Sequence, residues 1–423
     1  MKSQIFFTLI LGVIFLLGLL ALLFWYFGTS LNTDTAQIDT AMQAEQSTST
    51  GIHFGQEHVE FSDGSEATFS LAEPFTLTVA GEGLGKPRFM AMSPDGRLFV
   101  PDLVDYQLSP NGHVFILDDF DESTGVFQKK HTYLSGLRGA NSVAFYTDSD
   151  GTEWLYLALT EHLLRYRYHR GDTAPTESPE IVLTFPNTQT SGETSVVWHI
   201  TRTIVFHDDT LYVSIGSGCN ACEHEQGELR GMILVAEPDG SRVRVYANGL
   251  RNAVGLTWAG DTLYATENGV DHLGPNAPND VLYQIHEGVH YGWPYCYEKD
   301  GDIVEDIVHV WTEPVPCGDV PRAYVVFEPH SAPLGITYFE NAHPLLQQSF
   351  LVALHGSFDP TLRAGYRVVR ISKDGSKDIF MEGFLNSDAE QIGRPVHFLQ
   401  KNANSFFMTD DYTGSVYYIH ATS

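Results

Sequence analysis

Residues 249–294 read GLRNAVGLTWAGDTLYATENGVDHLGPNAPNDVLYQIHEGVHYGWP. Two short apolar runs, Val254–Trp258 and Thr262–Ala265, flank a Gly-Asp turn, the pattern of a β-hairpin. A cation and an amide, Arg251 and Asn252, stand before it; Glu267, Asn268 and Gly269 follow it, then Asp271 and Asp280. A hairpin needs polar residues at its turn but not an Arg-Asn pair at one end and Glu-Asn-Gly at the other. Strand starts and strand ends here bring polar groups to one place, which marks a candidate binding site.

The same unit recurs along the chain: a Gly or small residue, an apolar strand, a polar turn and a second strand. Copies are KPRFMAMSPDGRLFV (86–100), GANSVAFYTDSDGTEWLYLAL (139–159), TRTIVFHDDTLYVSIG (201–216), NAVGLTWAGDTLYATENG (252–269), APLGITYFENAHPLLQQSFLVALHG (332–356) and GRPVHFLQKNANSFFMTDD (393–411). Six copies predict an all-β fold, a six-bladed β-propeller of four-stranded antiparallel blades. Strand 61–70 is expected to pair with the last blade and close the ring. Arg88, Asn141, His199, Arg251, Ser331 and Arg394 share one position, at or just before the first strand of each copy. In a propeller that position lies at one mouth of the central channel, so six loops are expected to deliver their chemistry to a common place.

The chain of 423 residues is long enough for one large propeller domain, and 38 Gly, 20 Pro and 12% aromatic residues suit a turn-rich β protein. Lys and Arg number 24 against 53 Asp and Glu, a formal charge of −29, which repels polyanions and argues against a nucleic-acid partner. The amino end carries an almost unbroken apolar run from Ile5 to Phe27, 23 residues, after a single Lys. That length predicts a transmembrane helix within residues 1–28, its amino end cytoplasmic and the remainder exported; the alternative is a cleaved signal peptide. Residues 29–60, rich in Ser, Thr, Gln, Asp and Gly, read as a linker, and 61–423 as the propeller. The expected location is extracytoplasmic, anchored to the membrane. Four cysteines in an exported chain suggest two disulfides, most simply 219–222 and 296–317. The CNAC spacing also suits a redox pair or half a zinc site with His207 and His224 nearby.

GLRN-x-GL, LYATENG, the ND before a hydrophobic strand and HYGWP together resemble the glucose/sorbosone dehydrogenase family, six-bladed propellers that use pyrroloquinoline quinone (PQQ). WHITRTIVF (198–206) and LYVSIGSGCNAC (211–222) upstream, and HSAPLGITYF (330–339), LVALHGS (351–357) and GYRVVRI (365–371) downstream, follow in the order of the sorbosone-type branch. The resemblance runs from about Pro74 to the carboxyl terminus. It implies that His199 is the general base that takes the proton of a sugar hydroxyl, a task suited to imidazole. It implies that Arg251, with Asn252, lies by the quinone oxygens and stabilises developing charge; the residue-level alternative is a salt bridge from Arg251 to Glu267. Gly269 and the carbonyl of Val270 match backbone ligands of a Ca²⁺ ion, with Asp271 and Asp280 as acidic neighbours.

PQQ carries three carboxylates, so several cations are required. Arg394 matches one cofactor-binding arginine, and Asn268 belongs to the same set. The second arginine is replaced by Ile392, the usual lysine by His355, and the WNR continuation by Phe358, Asp359 and Pro360. Arg88, Arg363 or Arg367 are the candidates to compensate. The insertion 286–325, with Tyr297 and Trp311, is expected to stack on a sugar or to act as an apolar lid. The implied activity is PQQ- and Ca²⁺-dependent oxidation of an aldose or related sugar alcohol, with electrons passed to an external acceptor. A non-enzymatic propeller binding a glycan or protein, and a Ca²⁺-dependent lactonase, are the alternatives on the same fold.

Overall fold

The computed structural model describes residues 51–186, 198–224, 227–312 and 314–422. Six antiparallel sheets follow one another along the chain. Blade 1 comprises Ala91–Met92, Leu98–Asp102, Gly112–Asp121 and Val126–Leu137; blade 2, Ser142–Thr147, Glu153–Ala158, His162–Arg167 and Glu180–Thr184. Blade 3 comprises Arg202–His207, Thr210–Ile215, Met232–Ala236 and Arg244–Asn248; blade 4, Ala253–Ala259, Thr262–Glu267, Val281–Ile285 and the short Val325–Val326. Blade 5 comprises Pro333–Phe339, Ser349–Leu354, Arg367–Ile371 and Lys377–Glu382; blade 6, Pro395–Asn402, Ser405–Asp410, Ser415–Ala421 and Phe75–Gly81. Each of the six sequence copies is the first hairpin of a blade, and the first strands pack on their neighbours around the centre.

The ring is closed by Phe75–Gly81, which pairs with Ser415–Ala421 from Phe75↔Ala421 to Gly81↔Val416. This corrects the expectation for strand 61–70. Glu66–Ala72 instead pairs with Phe54–Glu60 and lies on the outer edge of blade 5 through Ser70↔Glu382 and Leu71↔Met381. The hairpin covers an edge that would otherwise be open to pairing. Its first strand falls inside the stretch 29–60 expected to be linker.

Second strands such as Glu153–Ala158, Ser349–Leu354 and Ser405–Asp410 are almost wholly buried because neighbouring blades cover both faces. The core therefore lies between blades. Leu98, Val100, Phe115 and Leu117 of blade 1 pack on Phe407, Val416 and Tyr418 of blade 6, with Ala80 of the closing strand. At about 1.5–3 kcal/mol for each large apolar side chain removed from water, this seam alone resists opening of the ring.

Among the described residues no helix is long and apolar enough to cross a membrane; the predicted span Ile5–Phe27 lies outside them. Both expected disulfides are present, Cys219–Cys222 and Cys296–Cys317. The half-zinc alternative falls with them: the thiols are spent, and His207 stacks on Trp258 with ring centroids 3.8 Å apart.

Candidate active site

In an antiparallel blade the first strand starts where the second strand ends. The two loops of each inner hairpin therefore meet at one mouth, and a chain of contacts runs round it. Arg88 Nε donates to Asn141 Oδ1 at 3.0 Å, and Asn141 Nδ2 donates to Arg202 O at 2.9 Å. Arg202 Nη1 donates to His199 O at 2.7 Å. His199 and Asn252 meet over Gly216, where an added Cβ would lie 2.5 Å from His199 Cβ and 2.7 Å from Asn252 Oδ1; only glycine permits that approach. Asn252 N and Arg251 N both donate to Glu267 Oε1, and Arg251 Nη1 donates to Asn268 O at 3.3 Å. Gly269 N donates to Asp280 Oδ1 at 2.7 Å, and Asp280 Oδ2 accepts from Ser331 Oγ and Ala332 N. Ser331 O accepts from Gly356 N, and Gly356 O from Arg394 Nη2. His355, which precedes Gly356, reaches Asp411 Oδ1 at 2.8 Å, and Arg88 Nη1 donates to Asp411 Oδ2 at 2.8 Å, closing the circle. His199, Arg251 and Arg394 thus stand on one ring of contacts.

His199 occupies a left-handed backbone conformation, φ 44°, uncommon for a side chain of this size. Its Nδ1 lies 3.0 Å from Ser217 O and 2.9 Å from Ser217 Oγ, whose own proton goes to Cys219 O at 2.6 Å. Both oxygens are then acceptors toward Nδ1, which assigns the proton there and leaves Nε2 with its lone pair. Burial, and then the nearby Arg251 cation, hold the His199 pKa well below the usual imidazole value. The ring is neutral at pH 7, the form a base must take.

Arg251 is buried and clamped. Asn220 accepts from its Nε through the backbone carbonyl at 3.1 Å and from its Nη2 through Oδ1 at 2.8 Å, and Asp271 Oδ2 accepts from Nη2 at 2.6 Å. Asn220 sits inside the Cys219–Cys222 loop and also takes the indole N–H of Trp293 on its carbonyl at 3.1 Å. The alternative of an Arg251–Glu267 salt bridge is not met: the carboxylate paired with Arg251 is that of Asp271. Glu267 serves the backbone instead, and burial raises its pKa to about 8. Asp280 is likewise raised by burial, to about 6. With both carboxylate oxygens of Asp280 accepting hydrogen bonds, its present part is to hold the Gly269 and Ser331–Ala332 backbones together.

On the opposite side, Asp411 accepts from Arg88, His355 and Tyr106 Oη, the last at 2.8 Å. Burial opposes its ionisation, but His355 and Arg88 outweigh it and hold the carboxyl far below the usual range. Burial, then Arg394, bring His355 down to about 4, so the residue at the expected lysine position is a neutral hydrogen-bonding group. Arg88 is therefore neutralised by Asp411 and does not supply the extra positive charge. Arg363 does not either: it is exposed on the loop after Pro360–Leu362, with Nη2 donating to Ser387 O at 2.6 Å. Arg367 pairs with Glu328.

Two guanidinium groups are bound by backbone carbonyls instead of carboxylates. Arg394 donates to the backbone carbonyls of His355 and Gly356, and Arg202 to those of His199 and Thr201. Among the described residues neither has a carboxylate partner, and Arg202 Nε and Nη2 are buried without a hydrogen bond. Burial lowers the Arg202 pKa to about 9, which leaves it a cation at neutral pH. Buried, uncompensated cations facing a ring of backbone carbonyls are the donor set of an anion site. For a cation, Glu267 Oε2 and Asn268 Oδ1 are buried oxygens with no partner beside Gly269, hard donors of the kind Ca²⁺ takes. The residues present would fit an anionic cofactor on the arginine side and a hard divalent cation beside Gly269.

The insertion after Val281–Ile285 forms a small hairpin, Cys296–Lys299 with Asp302–Glu305. Its aromatic rings pack inward: Tyr291 and Trp293 are buried, and Trp311 packs edge-on against Tyr295 at 5.6 Å. Phe358 is an aromatic side chain left open at the mouth, 87% exposed, with the Arg394 guanidinium 5.6 Å from its ring centre and Tyr106 edge-on at 6.4 Å. Asn220, Arg202 and Asp411 are site residues that the sequence motifs did not single out. Asp411 follows the second strand of its blade, as Ser217 and Asn268 follow theirs.

The chain shares 28% identity over 224 residues with an uncharacterized protein of Borreliella burgdorferi, half of this chain and 58% of that relative's length. Among solved structures it resembles a Trichoderma reesei carbohydrate-active enzyme of family AA12 (TM-score 0.68, 20% identity, 83% of this chain and 97% of that one). The PQQ domain of Coprinopsis cinerea pyranose dehydrogenase gives TM-score 0.68 at 18% identity, over 84% and 97% of the two chains. A PQQ-bound aldose sugar dehydrogenase of Streptomyces coelicolor gives 0.57 at 21%, over 83% and 99%. At these identities the likeness establishes the propeller. The family model for glucose/sorbosone dehydrogenase matches residues 84–417, every blade that carries a side chain of the ring, and the chain belongs to the glucose/sorbosone dehydrogenase family.

Proposed function

We propose that this protein oxidises an aldose or related sugar alcohol, using PQQ and Ca²⁺ held at the mouth of the propeller and passing the electrons to an external acceptor. The observation that carries the reading is the neutral His199, protonated on Nδ1, on the same ring as two buried arginines without carboxylate partners. Arg394 and Arg202 would hold the cofactor's carboxylates, with Asn268 and His355 as hydrogen-bonding neighbours. Gly269, Val270 and the open oxygens of Glu267 and Asn268 would hold the calcium ion, with Asp280 keeping their loop in place and Asp271 tied to Arg251. PQQ, when bound, supplies the acceptor for the hydride that leaves the sugar carbon. His199 Nε2 takes the hydroxyl proton, and the Ser217 carbonyl steadies the imidazolium through Nδ1–H. Arg251, immobilised by Asn220 and Asp271, keeps a fixed positive charge beside the base and needs no reorganisation during the reaction. Phe358 and Tyr106 offer an apolar face at the rim for a sugar ring. Export and anchoring by Ile5–Phe27 complete the proposal and place the sugar outside the cytoplasmic membrane.

The test is to add PQQ and Ca²⁺ to the full chain and follow sugar-dependent reduction of an artificial dye. Reduction with at least one aldose that vanishes in His199→Gln is the expected result. Absence of reduction across aldoses and sugar alcohols in a chain that binds PQQ would overturn the oxidation.

A further inference from the structure

Among the described residues, a cluster of ligating side chains that contains no disulfide lies outside the ring. His272 comes from the loop after Thr262–Glu267, and Asp306 and His309 from the insertion stapled by Cys296–Cys317. Asp306 Oδ2 lies 3.3 Å from His272 Nε2 and 3.0 Å from His309 Nδ1, and the ligating atoms of the three residues all lie within 4.8 Å of one another. A tetrahedral ion with bonds of about 2.0–2.1 Å separates its ligands by about 3.3 Å, so two of the three separations already match and the third closes with a small ring movement.

The carboxylate is positioned before any ion arrives. Asp306 is buried, its Oδ1 accepts from Val308 N at 2.9 Å, its N–H goes to Tyr295 O at 2.7 Å and its carbonyl takes the Trp311 indole proton at 3.2 Å. Asn220 Nδ2, whose amide oxygen is taken by Arg251 Nη2 and Asp271 N, donates to His272 Nδ1 at 3.3 Å and holds the ring, so an ion bound at Nε2 displaces the proton there; His309 lies against Trp311 with centroids 5.0 Å apart. His272 Nε2 is buried and, despite its closeness to Asp306, makes no hydrogen bond of acceptable geometry. His309 is partly exposed, which leaves the remaining coordination positions open to solvent.

We propose that His272, Asp306 and His309 bind a divalent transition ion of the Zn²⁺ class, tying the insertion to the loop whose Asp271 holds Arg251. Two imidazoles exclude Ca²⁺, which takes oxygen donors, and favour zinc and its neighbours. The proposal uses none of the groups assigned to the quinone and stands whether or not that cofactor binds.

The test uses the untagged full chain, oxidised, stripped with chelator and then given ZnCl₂ alone or with excess CaCl₂. After desalting, one zinc per chain is expected in both cases, and Co²⁺ in its place is expected to give visible absorption bands. His309→Ala, a change at a partly exposed loop position, is expected to melt like the metal-free parent. It should lose the zinc-induced rise in melting temperature and weaken binding by more than the roughly 10–100-fold that outer-shell changes cost. No retained zinc, zinc displaced by calcium, or zinc retained equally by His309→Ala would each overturn the proposal; in the last case a hydrogen-bonded cluster is all that remains.

Discussion

Asp411→Asn separates the two things a buried charge does at this mouth. Asp411 faces Arg88 at 2.8 Å with both side chains almost wholly buried, and it also accepts from His355 and Tyr106. Removing one partner of a buried pair leaves the other charge desolvated and unmatched, a loss of about 3–5 kcal/mol. Asparagine keeps one acceptor oxygen for three donors, so the cost falls on Arg88 first. Replacing the arginine as well, as Arg88→Met/Asp411→Asn, removes the unmatched charge and is expected to recover most of the loss, a coupling that independent sites would not show. Guanidinium chloride denaturation reads both variants as midpoint shifts at unchanged slope. The single variant also leaves a free cation at the anion site, so it is expected to bind PQQ more tightly while folding less stably. A single-variant loss under about 1 kcal/mol, or additive single and double effects, would show that Asp411 does not compensate Arg88.

His199→Gln is expected to lower turnover by roughly 10²–10⁴-fold with little change in PQQ affinity. Because the base works when neutral and burial and Arg251 depress its pKa, the parent's kcat/KM is expected to stay level as pH falls from 7 past 6.5 and to drop only below it; an acid limb at or above 6.5 would contradict the assignment. Asn220→Ala removes a 2.8 Å hydrogen bond to a charged group, worth about 1.5–3 kcal/mol, and is expected to slow turnover roughly 10–100-fold, read from kcat in steady-state assays. Glu267→Gln in the cofactor-free, calcium-free chain is expected to match the parent near pH 4.5 and to become increasingly the more stable of the two as pH rises toward 8. The parent's folded state holds a proton, up to a pKa of about 8, that its unfolded state releases near 4.5; denaturation midpoints at pH 5 and 8.5 check the sign.

The six inner hairpins were legible because a period-2 apolar pattern with a turn at its centre can bury itself in few ways, and it recurred six times. Ring closure was not legible. Residues 61–70 and Phe75–Gly81 are both short and each carries two or more apolar residues at alternating or near-alternating positions, and which one pairs with Ser415–Ala421 depends on where the chain enters the ring. At the site, His199, Arg251, Asn252 and Arg394 stood out because each lies within the three residues before a first strand. Asp411 and Asn220 follow second strands, where loop lengths vary, so no fixed offset marks them. Arg88 was legible as a mouth residue but not as a neutralised one, since its partner lies more than 300 positions away along the chain and touches it only because the ring closes. Charge compensation is a property of the assembled mouth.

The visible absorption spectrum of the full chain reconstituted with PQQ and Ca²⁺, recorded before and after adding an aldose, bears most directly on the oxidation proposed for this mouth. The bound quinone is expected to bleach on sugar addition in the parent and to stay oxidised in His199→Gln. A parent spectrum that no aldose or sugar alcohol changes, with PQQ demonstrably bound, would mean that this ring of residues is not a sugar dehydrogenase site.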